Sequence, residues 1–151
     1  MKKVVVKICL VFCLFILFIS WGGSSSTLKD GYYTAEAAVF DEYGWKEYLA
    51  ICVSGGRIIL VEYNAYNSSG FVKSWDVDYM RMMNSEDGTY PNAFTRHYGR
   101  LLLEKQGTEG IDALSGASNS YPVFLALAEA VIKNAREGNN KTALVHPGKL
   151  L

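Results

Sequence analysis

Three alternating runs follow one another almost without interruption: Asp30 to Phe40 (DGYYTAEAAVF), Trp45 to Val53 (WKEYLAICV) and Arg57 to Tyr66 (RIILVEYNAY). In the first, Tyr33, Ala35, Ala37 and Val39 fall on one face. Tyr32, Thr34, Glu36, Ala38 and Phe40 fall on the other, which is the period of a strand. Asp41-Glu42-Tyr43-Gly44 forms a turn, and Ser54-Gly55-Gly56 a tight hairpin. A parallel pairing needs a crossover of about a dozen residues, and these connections are too short for one. The three runs therefore predict an antiparallel meander.

Helical spacing begins further on. After the breaker Asn67-Ser68-Ser69-Gly70 comes a short helical piece from Val77 to Met83. Ser85-Glu86-Asp87-Gly88 is a polar turn, and Pro91 suits the first turn of a helix. From Asn92 to Gln106, Phe94, Tyr98, Leu101 and Leu102 share one apolar face, with Gly107 and Gly110 beyond its end. From Tyr121 to Glu137, Val123, Leu127, Ala130 and Val131 form a second stripe, stopped by Gly138. The expected fold class is α+β: an antiparallel β-meander packed on one side by two or three helices.

The first 23 residues stand apart. Met1-Lys2-Lys3 is basic and Ile8 to Ile19 is unbroken apolar, a length that suits a secretory signal peptide or an N-terminal membrane anchor. Cys9 and Cys13 follow no run of small residues of the kind that precedes lipid attachment, so the sequence leans against a lipoprotein. Residues 24–30 form a polar linker, 31–138 a domain, and 139–151, with Pro147 and no sustained period, a flexible tail. Without Lys2, Lys3 and Lys7, the remainder carries 12 basic and 15 acidic residues, so no basic excess points to nucleic acid. Cys52 alone remains beyond the apolar segment, which leaves no intramolecular disulfide there. His97 and His146 have no partner at metal-ligand spacing, and no glycine-rich nucleotide loop follows a strand.

Chemistry concentrates in Asp112-Ala113-Leu114-Ser115-Gly116-Ala117-Ser118-Asn119-Ser120, just before the last helix. A helix start offers unpaired N–H groups and a partial positive charge, so an acid, a small turn and three hydroxyls there make a candidate anion site. The same pattern serves as an ordinary capped turn, and physics alone leaves both open.

Asp112 to Ser118 resembles the attachment motif Asp-x-x-Ser/Thr-Gly-Ala-Thr/Ser of the FMN-binding domain family. That family includes a flavin-carrying subunit of sodium-pumping NADH:quinone reductases and small extracytoplasmic bacterial proteins known as major membrane immunogens. Asn64, Gly70, Lys73, Ser74, Tyr79 and Met83 also match, in order, a pattern of the immunogen branch. The resemblance spans roughly Gly31 to Gly138.

It implies a covalent FMN joined by a phosphodiester to the last hydroxyl of the motif, here Ser118 where the family usually has threonine. A flavin transferase, using FAD and a divalent metal, would install it. Asp112 would orient that hydroxyl or hold the metal used in transfer, unless it only caps the turn. Ser115, Gly116 and Ala117 would shape the turn around the phosphate. Among Tyr32, Tyr33, Trp45, Tyr48, Trp75 and Tyr121, some would supply a flat wall for the ring, with Met80, Met82 and Met83 at its edge.

The function so implied is an exported, membrane-associated electron carrier rather than a catalyst with its own substrate. Its partners would be the flavin transferase and a membrane redox donor complex. The alternatives are a non-redox surface antigen or binding module of the same fold, and a reversible FMN binder.

Overall fold

The computed structural model describes residues 27–146. The apolar N-terminal segment and residues 147–151 lie outside the described residues. Strands β1 (Gly31–Ala37), β2 (Lys46–Ser54) and β3 (Arg57–Tyr66) form the expected meander. Gly31 pairs with Val53 and Glu36 with Tyr48, while Ser54 pairs with Arg57 and Lys46 with Tyr66.

The β2–β3 hairpin closes through Gly55 and Gly56 at φ 60 and 72. A two-residue type I′ loop requires positive φ at both positions, which glycine adopts without a Cβ penalty. The Asp30 carboxylate accepts both glycine N–H groups at 3.0 Å. Those bonds, from Gly56 and then Gly55, hold its pKa below the ordinary carboxylate value.

Helix α1 (Val77–Asp87) runs a turn beyond the stretch the spacing predicted. Its N-cap Asp76 accepts the Tyr79 N–H at 3.0 Å, and none of its residues is fully buried. Helix α2 (Pro91–Lys105) opens on its proline and buries Phe94, Tyr98 and Leu102, one stripe at four-residue intervals. Helix α3 (Ser120–Glu137) buries Phe124, Leu127, Ala128, Val131 and Ala135.

Helix α2 packs on β3, and α3 on β1 and β2, so the helices cover one face of the sheet. Tyr33, Leu49, Ile51, Val53, Ile58 and Tyr63 face them from the strands. At the centre Tyr98 stacks on Phe124 at 4.9 Å, and Tyr63 meets Phe124 at 5.0 Å. The α+β class stands as the sequence predicted.

Two expectations need correction. The sheet is not wholly antiparallel: β4 (Ala143–Val145) adds to the free edge of β1 in parallel, giving the order β3-β2-β1-β4. The stretch from 139 onward is accordingly not a loose tail as far as 146, because Ala143–Val145 pairs with Ala35–Ala37. Three residues carry no readable period. What specifies β4 is the open edge of β1, reached by the chain after it leaves α3 at Gly138.

At the opposite edge a side chain pairs with the start of β3. Gln106, the C-cap of α2 at φ 60, accepts the Ile58 N–H at 2.8 Å and donates to the Ile58 carbonyl at 2.9 Å. It also donates to the Leu103 carbonyl at 2.6 Å. The amide thus acts as a short extra strand residue on β3. Gln106→Ala is expected to lower the unfolding free energy by about 2 kcal/mol. A shift of the urea midpoint at unchanged slope would show it.

Candidate functional site

The loop between α2 and α3 is pinned from both helices. The Tyr98 hydroxyl accepts the Leu114 N–H at 2.9 Å, and the Tyr121 hydroxyl donates to the Ile111 carbonyl at 2.7 Å. Ile111 and Ala117 are buried as further anchors. Leu114 to Ala117 is a turn closed by Ala117 N–H to Leu114 C=O at 3.0 Å, with Gly116 at its third position and φ 77. A Cβ on Gly116 would stand 2.4 Å from the Asp87 carbonyl oxygen and 2.9 Å from Thr89 Cγ2. The glycine therefore lets the loop press against the end of α1.

Helix α3 begins within this turn. Tyr121 N–H already bonds the Ala117 carbonyl at 3.2 Å, while Pro122 has no N–H to give the Ser118 carbonyl. The N–H groups of Ser118, Asn119 and Ser120 find no acceptor among the described residues. No side chain caps them, since Asn119 has helical φ and ψ and makes no capping bond. Ser118 is exposed and its hydroxyl has no partner among the described residues.

This turn borders a cavity of about 550 Å³, a size that suits a small-molecule ligand. Gly116, Ala117 and Ser118 line it from the loop. Trp45, just before β2, and Glu47, within it, line one side, Lys73 lines it from a 3-10 turn (Lys73–Trp75), and Tyr79, Met82 and Met83 from α1. Val39 and Phe40 add exposed apolar surface at the mouth.

Two buried charges face the cavity. Glu47 is 9 % exposed and accepts the Tyr63 hydroxyl at 2.6 Å and the Ser120 hydroxyl at 2.8 Å. Burial raises its pKa, and the bonds from Tyr63 and Ser120, then the Lys73 charge, oppose that rise. Lys73 is 6 % exposed, and its ammonium makes no hydrogen bond or ion pair among the described residues. Its ammonium stands 5.6 Å from the Trp45 ring centre and 5.2 Å from that of Tyr79. Burial lowers its pKa, and the charges of Glu47 and Asp41 oppose that effect. Asp41, Glu42, Glu86 and Asp87 also line the cavity and are exposed, so four acids lie outward while Glu47 and the Lys73 cation lie inward.

The residues that the sequence singled out are only partly brought together. Asp112 and Ser115 are exposed and lie off the cavity. Of the candidate aromatic walls, Trp45 alone lines it. Tyr33 belongs to the core, Tyr121 packs on Tyr98, and Tyr32 and Trp75 point to solvent. Met82 and Met83 do line the cavity.

The six scattered matches divide by task. Asn64 donates to the Ser74 hydroxyl at 2.8 Å, which ties the 3-10 turn to β3, while Lys73, Tyr79 and Met83 face the cavity. Glu47 was missed. Its signal was a carboxylate at an inward position of a strand, on the same face as Trp45, Leu49 and Ile51. Among the described residues, no three His, Cys, Asp or Glu side chains converge as a metal-ligand set, and no helix is long and apolar enough to cross a membrane.

No family model matches the chain. The 15 kDa lipoprotein of Treponema pallidum (strain Nichols) is 35% identical over 121 residues, covering 80% of this chain and 86% of that protein. A Clostridium perfringens protein of known crystal structure superposes with a TM-score of 0.76 at 40% identity, covering 79% of this chain and 98% of that one. A Clostridium thermocellum protein solved by NMR gives 0.50 at 29% identity, covering 72% and 92%. With identity of this order over most of both chains, the protein belongs to the family of the Treponema 15 kDa lipoprotein.

Proposed function

We propose that the protein is an FMN-carrying electron-transfer protein held at the extracytoplasmic face of a bacterial membrane, with the flavin joined by a phosphodiester to Ser118. The observation that carries it is one juxtaposition. Among the described residues, the Ser118 hydroxyl has no partner and opens beside three N–H groups without acceptors, on a cavity that also holds an aromatic wall and a buried ammonium.

These residues fit the group. The N–H groups of Ser118, Asn119 and Ser120 suit a phosphoryl anion at a helix start. Gly116 leaves the loop close against Asp87 and Thr89, which fixes the hydroxyl's place at the mouth. Trp45, Tyr79, Met82 and Met83 offer flat and adaptable apolar surface for a ring. The flavin, when bound, supplies the electron chemistry, and the protein supplies tethering, packing and charge. A covalent tether prevents loss of the cofactor by dilution outside the cell.

Membrane attachment is supported by the relative's description as a lipoprotein and by the apolar segment at residues 8–19. A flavin transferase would mature the protein, and a quinol- or NADH-linked membrane complex would reduce it.

In protein isolated from its native host, intact mass should show one FMN phosphoryl addition and flavin fluorescence should survive denaturation. Ser118→Ala should abolish both while leaving the unfolding free energy within about 0.5 kcal/mol, because the residue is exposed and its hydroxyl has no partner among the described residues. An unmodified chain from that host would end the proposal.

A second reading draws on the exposed acids Asp41, Glu42, Glu86 and Asp87 lining the cavity, which would repel the phosphate of a flavin. It is a non-redox surface binding module of the same fold. A colourless native preparation that takes up no added FMN would favour it.

A further inference from the structure

We propose that Lys73 is the charge-compensating residue of the cavity, placed to face the flavin ring and to favour its reduced form. This rests on the flavin reading above, and it assigns a task to a residue outside the attachment motif.

A lysine that is 6 % exposed, with no carboxylate partner among the described residues, is an expensive feature for a small domain. Two aromatic faces at 5.6 and 5.2 Å partly compensate the ammonium and fix where it sits. The nearby buried acid, Glu47, is already engaged by Tyr63 and Ser120. Asn64 and Ser74 hold the turn that carries Lys73, so the side chain is directed into the cavity by a bonded frame. Glu47 and Asp41 act on the ammonium through their charges without contacting it, so among the described residues what the arrangement lacks is a contacting anion, one that enters from the cavity.

Position decides which end of the cofactor that is. An ester at Ser118 leaves the phosphate beside the free N–H groups of the α3 start. Lys73 lies instead between Trp45 and Tyr79, the surfaces on which a ring packs. When the quinol- or NADH-linked donor gives the ring two electrons and one proton is taken up, the ring gains one net negative charge while the donor is oxidised. An ammonium facing the ring stabilises that charge and leaves the neutral oxidised ring unaffected to first order.

Two measurements test this on Lys73→Met and Lys73→Arg, with near-UV circular dichroism confirming the fold. In flavin-loaded protein, dithionite titration against a reference dye should show the Met variant shifted tenfold or more toward the oxidised form. That is about 30 mV for a two-electron couple. The Arg variant should stay within threefold of wild type. In chain made without a flavin transferase, anaerobic calorimetric titration with dithionite-reduced FMN should show about tenfold weaker binding for Met alone, while oxidised FMN, followed by fluorescence quenching, binds all three proteins within threefold.

An unchanged potential in the Met variant, or failure of Arg to restore it, would overturn the assignment even if flavin is covalently present. Should native protein carry no flavin, the covalent reading fails by itself. The titration with reduced FMN then decides the role of Lys73: binding of the reduced form weakened more than that of the oxidised form in the Met variant keeps it, and equal binding of the reduced form removes it.

Discussion

Gly116→Ala is expected to destabilise the protein by at least about 3 kcal/mol and, on the flavin proposal, to stop flavin loading. Two costs combine. The residue sits at φ 77, where a Cβ costs about 1–2 kcal/mol. The new methyl would also lie 2.4 Å from the Asp87 carbonyl oxygen and 2.9 Å from Thr89 Cγ2. The first of these is backbone at the end of α1, so relief requires the loop or the helix end to move. Moving the loop displaces Ser118 from the cavity mouth.

Urea unfolding measures the first effect, and intact mass of protein from the native host measures the second. Ser115→Ala is the control: Ser115 is exposed and unbonded, so the change should stay within about 0.5 kcal/mol. A Gly116→Ala protein as stable as wild type would show that the packing of this turn against α1 is not what holds it.

Glu47 should show the second large effect, and its sign depends on pH. Glu47→Ala removes the acceptor for the Tyr63 and Ser120 hydroxyls and leaves both donors buried, a loss of about 2–4 kcal/mol. Glu47→Gln keeps an acceptor and removes the buried charge, so it should cost far less or stabilise slightly.

Burial raises the Glu47 pKa in the fold above its unfolded value. The folded state thus holds this proton more tightly than the unfolded chain. The stability that the protonated group contributes is fully present below the ordinary glutamate value of 4.5 and is lost as pH rises through the folded pKa. Wild type minus Glu47→Gln should therefore fall as pH rises from about that value, because glutamine has no proton to lose. Parallel curves for the two proteins would refute the charge argument.

Much of the frame was legible because it is local. The Gly55-Gly56 hairpin, the three strands and the stripes of α2 and α3 each announce themselves within a few residues. The start of α3 at the motif was legible for the same reason, since Pro122 and the run of small residues mark it. Strand β4 was not, because three residues have no period of their own and only the edge of β1 calls them into line. Asp112 looked central in the motif but lies off the cavity, because the loop turns between it and Gly116.

The sequence by itself determined the first three strands, the three helices and the turn that presents Ser118, since backbone preferences and apolar spacing act over short stretches. Only the tertiary structure decided what that turn faces. Glu47 and Ser120 meet across 73 positions, and Lys73 arrives between Trp45 and Tyr79 from a separate turn. No local spacing encodes such meetings. They follow from helices packing one face of a sheet and closing its inward side chains around a cavity.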